Sequence, residues 1–188
     1  MEDKLRDALA RRKKRRIHNP ERVCSAVLVP LFSQEGQCHV LFTRRTQEVT
    51  HHKGQISFPG GVYQAEDGTI LNTALRECTE EIGLCREDAE ILGELDDFIT
   101  TTSNYIISPF VAHIPWPYHF RLSREETEEL IPVPLAALQD NKNVHPGVET
   151  IEGRKITSFT YHYQGNVIWG ATARILNQLL SIIQNTGG

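Results

Sequence analysis

The run Leu75-Arg76-Glu77-Cys78-Thr79-Glu80-Glu81-Ile82-Gly83-Leu84 decides how this chain is read. It reads as a helical turn carrying three acids. Residues three and four apart on a helix are neighbours, so Glu77 stands beside Glu80 and Glu81, and Arg76 beside Glu80. Each like-charge pair costs roughly 0.2–0.5 kcal/mol on an isolated helix, so a cation seated among the carboxylates explains the cluster best. A hard divalent ion such as Mg²⁺ takes oxygen ligands, keeps several waters and is shared between carboxylates and the phosphates of a substrate. Gly83 is the natural residue just past the helix end. Taken alone, the triplet is equally a solvated acidic helix face.

The stretch upstream shifts that balance. Gly54-Gln55-Ile56-Ser57-Phe58-Pro59-Gly60-Gly61 reads as a short strand closed by a Pro-Gly-Gly turn, with a polar loop and then the acidic helix beyond it. Glycines let backbone approach a ligand closely, so strand, turn and helix together suit a metal-phosphate site.

Gly61 to Leu84 resembles the Nudix box, Gly-x5-Glu-x7-Arg-Glu-U-x-Glu-Glu-x-Gly-U with U a bulky apolar residue. It matches at Arg76, Glu77, Glu80, Glu81, Gly83 and Leu84. The loop before Arg76 is longer than the pattern by one residue, and the upstream Glu slot falls at Asp67 or Gly68. Cys78 replaces the usual aliphatic, a change that a small buried hydrophobe tolerates. The longer loop is a mark of one branch. Leu41-Phe42-Thr43-Arg44-Arg45-Thr46, followed by His52-Lys53-Gly54-Gln55-Ile56-Ser57-Phe58-Pro59-Gly60-Gly61, resembles the second signature of the coenzyme A diphosphatase branch. Thr46, Thr50 and Gln64 depart from the residues usual there.

The resemblance implies an α/β Nudix fold, a mixed β-sheet sandwiched between α-helices. It also implies hydrolysis of the diphosphate of coenzyme A or a derivative, giving 4′-phosphopantetheine and adenosine 3′,5′-bisphosphate. Mg²⁺ or Mn²⁺ would be held by Glu77, Glu80 and Glu81, with Arg76 orienting those carboxylates. Arg44, Arg45, His52, Gly54, Gly60 and Gly61 would meet the substrate, Arg45 being expected at the 3′-phosphate because its fork suits a phosphate. The proton acceptor stays open between Glu80 on the helix and the acids Glu126 and Glu129 of the stretch Ser123 to Leu130.

Composition bounds the rest. At 188 residues and 39% hydrophobic content, the chain is long enough for one ordinary globular core. Residues 21–188 read as that single domain, preceded by a basic helical extension over 1–20. No apolar run reaches the roughly 18–20 residues of a membrane span, and no signal peptide opens the chain, so a soluble, cytoplasmic protein is expected. Cys24, Cys38, Cys78 and Cys85 lack CxxC spacing, which argues against a zinc site or a disulfide framework. The net charge of −4 leaves no global nucleic-acid footprint. Only Arg11-Arg12-Lys13-Lys14-Arg15-Arg16, on a helix opened by Glu2 and Asp3, breaks that uniformity. It is either a solvated face or a polyanion-binding run.

From Val23 the pattern becomes strands. Val23 to Phe32 is apolar enough for a central strand, with Pro30 expected at its end or at a bulge. A turn at Gln34-Glu35-Gly36-Gln37 leads into Cys38 to Thr43. Ile91 to Thr100 and Tyr105 to His113 read as two more strands, and Thr101 to Asn104 as a loop able to line the site. The acidic Ser123 to Leu130 reads as a loop before a short helix at Leu135 to Leu138. Thr150 to Gly153 and Lys155 to Tyr163 form a hairpin, and Val167 opens the amphipathic closing helix. Trp169-Gly170-x-Thr172 reads as packing, and His51, His113, His119, His145 and His162 as structural or surface residues.

Other functions remain open. A Nudix hydrolase of NADH, ADP-ribose or a nucleoside triphosphate would share the box, and a Nudix-like binding module would keep the fold without turnover. A nucleic-acid-binding protein would use Arg11 to Arg16 instead. The expected partner is a small nucleotide, not a membrane or a nucleic acid, and a homodimer is left open.

Overall fold

The computed structural model describes residues 1–47, 53–100, 103–151 and 153–186. Thr50, His51, His52, Thr101 and Thr102 fall outside these, so the expectation for His52 does too.

β1 (Val23–Gln34) is the centre of an eight-stranded sheet. On one side it meets β2 (Gln37–Arg45) antiparallel, and on the other β7 (Tyr105–His113) parallel along its whole length. The parallel pair makes the sheet mixed. Its main order is β3 (Ile56–Ser57), β2, β1, β7 and β5 (Glu90–Glu94). Three further pairings are added: the short β4 (Gly60–Val62) on β1 and β6 (Phe98–Ile99) on β7, and the longer β8 (Thr127–Pro134) on β2.

A strand covered on both faces reads as an unbroken apolar run, and β1 is such a strand. Ala26, Leu28 and Phe32 join Ala74, Cys78 and Ile82 of helix α2 (Ile70–Ile82) in one cluster. Val29 and Leu31 join the opposite cluster, with Leu5 and Leu9 of α1 (Glu2–Arg11) and Leu176 and Leu179 of α4 (Gly170–Thr186). A three-stranded antiparallel sheet, β11 (Asn166–Ile168), β10 (Arg154–Tyr163) and β9 (Val144–Ile151), packs on that second side through buried Tyr161. The short α3 (Leu135–Gln139) follows β8. Helices therefore lie on both faces, and the class is α/β.

The structure redraws several boundaries. β1 runs through Pro30 to Gln34, because that proline lies where the strand changes antiparallel partner, from β4 over Ser25–Val27 to β2 over Leu31–Gln34. A missing N–H does little harm at such a junction. The two-residue turn after it puts Glu35 at φ 51° and Gly36 at φ 75°, the left-handed pair that suits a tight hairpin. Gly60 and Gly61 do not end a strand but begin β4. The acidic stretch is not a loop throughout: from Thr127 it is β8, which among the described residues pairs with β2 alone, and such an edge tolerates Pro132 and Pro134. Ile91 to Thr100 is divided into the end of β5 and β6. Residues 166–168 are a strand, so the closing helix starts at Gly170.

The basic run also changes meaning. α1 stops at Arg11, and Arg12, Lys14 and Arg16 are paired with Asp96, with Glu94 and Asp97, and with Glu94. Lys14 is nearly buried between its two acids. Residues 1–20 thus pack onto the sheet rather than extend from it, and much of their charge is already matched by the acidic β5–β6 edge.

Candidate active site

The acidic helix is built from its ends inward. The Thr69 side chain caps it by accepting from the Asn72 N–H, and Gly83 ends it in the left-handed conformation at φ 70°. Beyond Gly83 the carbonyls of Glu81 and Ile82 would be open. The backbone N–H groups of Ser123 and Arg121 donate to them at 2.9 and 3.0 Å. The chain after β7 is thereby folded across the end of α2, and this brings the following acidic turn over the helix.

Arg76 organises the carboxylates. Its Nε and Nη2 donate to the two oxygens of Asp67 at 2.7 and 3.1 Å, and its Nη1 to Glu77 at 2.8 Å and Glu80 at 2.9 Å. Nη2 also reaches the Val62 carbonyl. Asp67 further accepts from the Thr73 hydroxyl and the Gln64 N–H, and the Arg76 guanidinium above all holds its carboxyl well below the usual range. The Glu slot that the sequence left between Asp67 and Gly68 is therefore filled by Asp67. This residue is not among the expected site residues, although its place at the box's upstream Glu slot, just before α2, is the available signal.

Glu77 and Glu81 point inward and Glu80 outward. Glu80 is more than half exposed and rests against Arg76. Glu77 is mostly buried, and a Cβ on Gly61 would overlap its carboxylate, which is a steric reason for glycine there. Burial raises the Glu77 carboxyl although Arg76 opposes it. Glu81 is 3% exposed, receives the Gly60 N–H, and has Arg45 Nη1 at 3.9 Å. Burial pushes its carboxyl up to about 8, with Glu126 and Glu77 adding to the rise and Arg45 opposing it.

The two loop acids part company. Glu126 lies close enough to raise both Glu77 and Glu81. Its turn is pinned to the end of β2: the Thr46 N–H donates to its carbonyl at 3.0 Å and the Thr46 hydroxyl to the Glu125 carbonyl at 2.7 Å. Glu129 instead accepts from Arg44 Nε at 2.7 Å, one register step along β8. Arg44 also donates to Asn166, so this arginine joins strands, and alternation along β2 keeps it apart from Arg45.

Arg45 is the basic side chain at the carboxylates. Its Nε is buried without a hydrogen-bond partner. It also borders a cavity of about 240 Å³, together with Gly60 and Gly61. The far wall of that cavity comes from the start of α4, where Trp169 is 49% exposed and Arg174 faces inward. Both had been read as packing or passed over, and nothing in their spacing marks them. Gly54 sits at φ 66° in the turn where its N–H donates to the Arg45 carbonyl; it shapes the loop and is not on the cavity wall.

These residues suit a hard divalent cation. Glu77 and Glu81 bring inward oxygen donors, and Glu126 adds a third negative charge beside them; Arg76 at Glu77 and Arg45 at 3.9 Å from Glu81 only partly offset the repulsion. Among the described residues no closed set of three ligands is preformed. The reason is visible in Arg76, which draws one oxygen each from Glu77 and Glu80.

Residues 23–151 match the NUDIX domain. The uncharacterized Nudix hydrolase NudL of Photorhabdus laumondii is 31% identical over 160 residues, which cover 85% of this chain and 84% of that protein. Among solved structures, a MutT/nudix family protein from Enterococcus faecalis superimposes with a TM-score of 0.64 at 13% identity, over 90% of this chain and 64% of that one. The NUDIX domain of Shewanella oneidensis NrtR, solved with ADP ribose, gives 0.51 at 16% identity over 63% and 79%. At such identities the structural likeness speaks for the fold.

Proposed function

Because the chain belongs to the Nudix hydrolase family, matched over residues 23–151, we propose that it hydrolyses the diphosphate bond of coenzyme A or one of its derivatives. The observation that carries a diphosphatase reading is the meeting of Glu77, Glu81 and Glu126 with Arg45 at the mouth of a cavity. The choice of coenzyme A rests on the resemblance of residues 41–61 to that branch. Nudix hydrolases generally use divalent metal ions, and Mg²⁺ or Mn²⁺ is the proposed one here. When bound, such an ion polarises a phosphoryl oxygen and makes water a nucleophile near neutral pH.

The chain's own residues do the rest. Glu77 and Glu81 hold the cation, and Arg76 fixes Glu77 and Glu80 while Asp67 keeps Arg76 charged and in place. Arg45 attracts the diphosphate. Glu126, in no ion pair among the described residues, is the proposed acceptor of the proton of the attacking water. Water adds to phosphorus, the bridging P–O bond breaks, and 4′-phosphopantetheine and adenosine 3′,5′-bisphosphate leave. Product identification by mass spectrometry, from coenzyme A incubated with protein and Mg²⁺ or Mn²⁺, tests the reading. Those two products are expected; intact coenzyme A beside cleaved NADH or ADP-ribose would replace the substrate.

Because Arg45 lies beside Glu81, its proposed role is at the reacting diphosphate rather than at the 3′-phosphate that the resemblance implies. Arg45→Ala is therefore expected to lower kcat/KM about tenfold or more, a charge-assisted contact being worth roughly 1.5–3 kcal/mol. The loss should be equal for coenzyme A and for its analogue lacking the 3′-phosphate. A loss confined to coenzyme A would put Arg45 back at the 3′-phosphate.

A further inference from the structure

The cavity beyond the carboxylates has a chemistry of its own. Its volume of about 240 Å³ falls below the roughly 300–1,000 Å³ of sites that enclose a whole drug-sized ligand. It therefore suits one end of a substrate whose diphosphate lies at Arg45. The wall is largely apolar, from Val27, Phe58 and Ile107, and among the described residues the charged side chains on it are Arg45 and Arg174, with no carboxylate.

Arg174 is the informative one. Its Nη1 donates to the Ile99 carbonyl at 2.8 Å and its guanidinium lies over the Phe98 ring at 5.2 Å. Among the described residues it makes no ion pair with a carboxylate, although it is only partly exposed and burial lowers its pKa. Glu149 acts on it from beyond ion-pair distance and opposes the lowering only in part, so a half-buried cation keeps some of a desolvation cost that an anionic ligand would offset. On the same wall Trp169 leaves nearly half its surface open, although the other tryptophan, Trp116, is stacked on Phe32. An exposed indole beside an apolar cavity offers a face on which a base can stack.

Building on the diphosphatase reading, we propose that this cavity binds the nucleotide end of the substrate, with the base against Trp169 and a phosphate outside the scissile diphosphate on Arg174. The matched ligand is a nucleoside 3′,5′-bisphosphate. Arg174 then selects substrates that carry the additional phosphate. The other end of the substrate, neutral and flexible, gains nothing from a second arginine.

Calorimetric titration of the metal-free protein with adenosine 3′,5′-bisphosphate, adenosine 5′-monophosphate and 4′-phosphopantetheine tests this without turnover. The bisphosphate is expected to bind most tightly. Arg174→Gln should weaken it about tenfold or more while changing the monophosphate little, and Trp169→Ala should weaken both. Arg174→Lys keeps a cation that can reach the Ile99 carbonyl; it should retain part of the preference and shows whether a loss in Arg174→Gln is merely unfolding. Equal losses for both nucleotides in Arg174→Gln, or 4′-phosphopantetheine binding that depends on Trp169, would overturn the assignment. Bisphosphate binding with no cleavage of coenzyme A would sink the substrate reading alone. Cleavage of coenzyme A with bisphosphate affinity untouched in every variant would sink the cavity assignment alone.

Discussion

Replacing Glu81 with Gln is expected to lower kcat by about a hundredfold or more and, at the same time, to make the metal-free protein more stable at pH 8. The first effect follows from its place as the most buried of the converging carboxylates, since about 3 kcal/mol of lost charge stabilisation corresponds to that factor. The second follows from its pKa, pushed up from 4.5 to about 8 chiefly by burial. Between those two values the native chain holds a proton that the unfolded chain has released. The native state then binds more protons, so stability falls as pH rises through that window. Gln has no charge to bury, and the difference between the two proteins should grow from pH 5 to pH 8. Relief of about 2 kcal/mol corresponds to a rise of roughly 4–8 °C in Tm for a domain of this size. Melting curves in EDTA at both pH values decide it. Added Mn²⁺ should reverse the order, because a ligand that binds only the native state stabilises it. A variant that melts below the wild type at pH 8 in EDTA would mean that Glu81 is a well-matched structural acid.

What the sequence could show was local. The acids of α2 and the glycine that ends it are set by spacing along one helix, and the turn at Glu35-Gly36 by two neighbouring residues, so a linear pattern carries them. The site depends on contacts that spacing does not encode. Glu126 and Glu129 look alike in sequence, yet Glu129 lies in β8, paired with Arg44 of β2, and Glu126 in the turn that Thr46 holds over Glu81. Arg44 and Arg45 are adjacent, yet a strand sends them to different partners, Glu129 and Glu81. The run Arg11 to Arg16 reads as either a solvated face or a polyanion-binding run because its partners, Glu94, Asp96 and Asp97, lie some eighty positions away. Trp169 and Arg174 become legible only when α4 is seen to wall the cavity.

That difference between two similar acids predicts the proton acceptor. A carboxylate that holds a cation is a poor base because the positive charge favours its ionised form, which disfavours Glu77 and Glu81. Glu80 is tied to Arg76 at 2.9 Å, and Glu129 to Arg44 at 2.7 Å. Glu126 is left, exposed and in no ion pair among the described residues, yet near enough to Glu77 and Glu81 to raise both. Glu126→Gln is therefore expected to lower kcat by roughly 10²–10⁴, the usual contribution of positioned proton transfer, while Mn²⁺ affinity changes little. Glu129→Gln removes an exposed ion pair worth about 0–1 kcal/mol and should leave kcat within a fewfold of wild type. Glu80→Gln leaves Arg76 Nη1 to Glu77 alone, drawing that ligand harder, and should through this weaken Mn²⁺ binding as well as rate. Rates and Mn²⁺ affinities of the three variants separate these roles. If Glu126→Gln turns over normally while Glu80→Gln loses rate with Mn²⁺ affinity intact, the proton goes to the helix and not to the turn that crosses it.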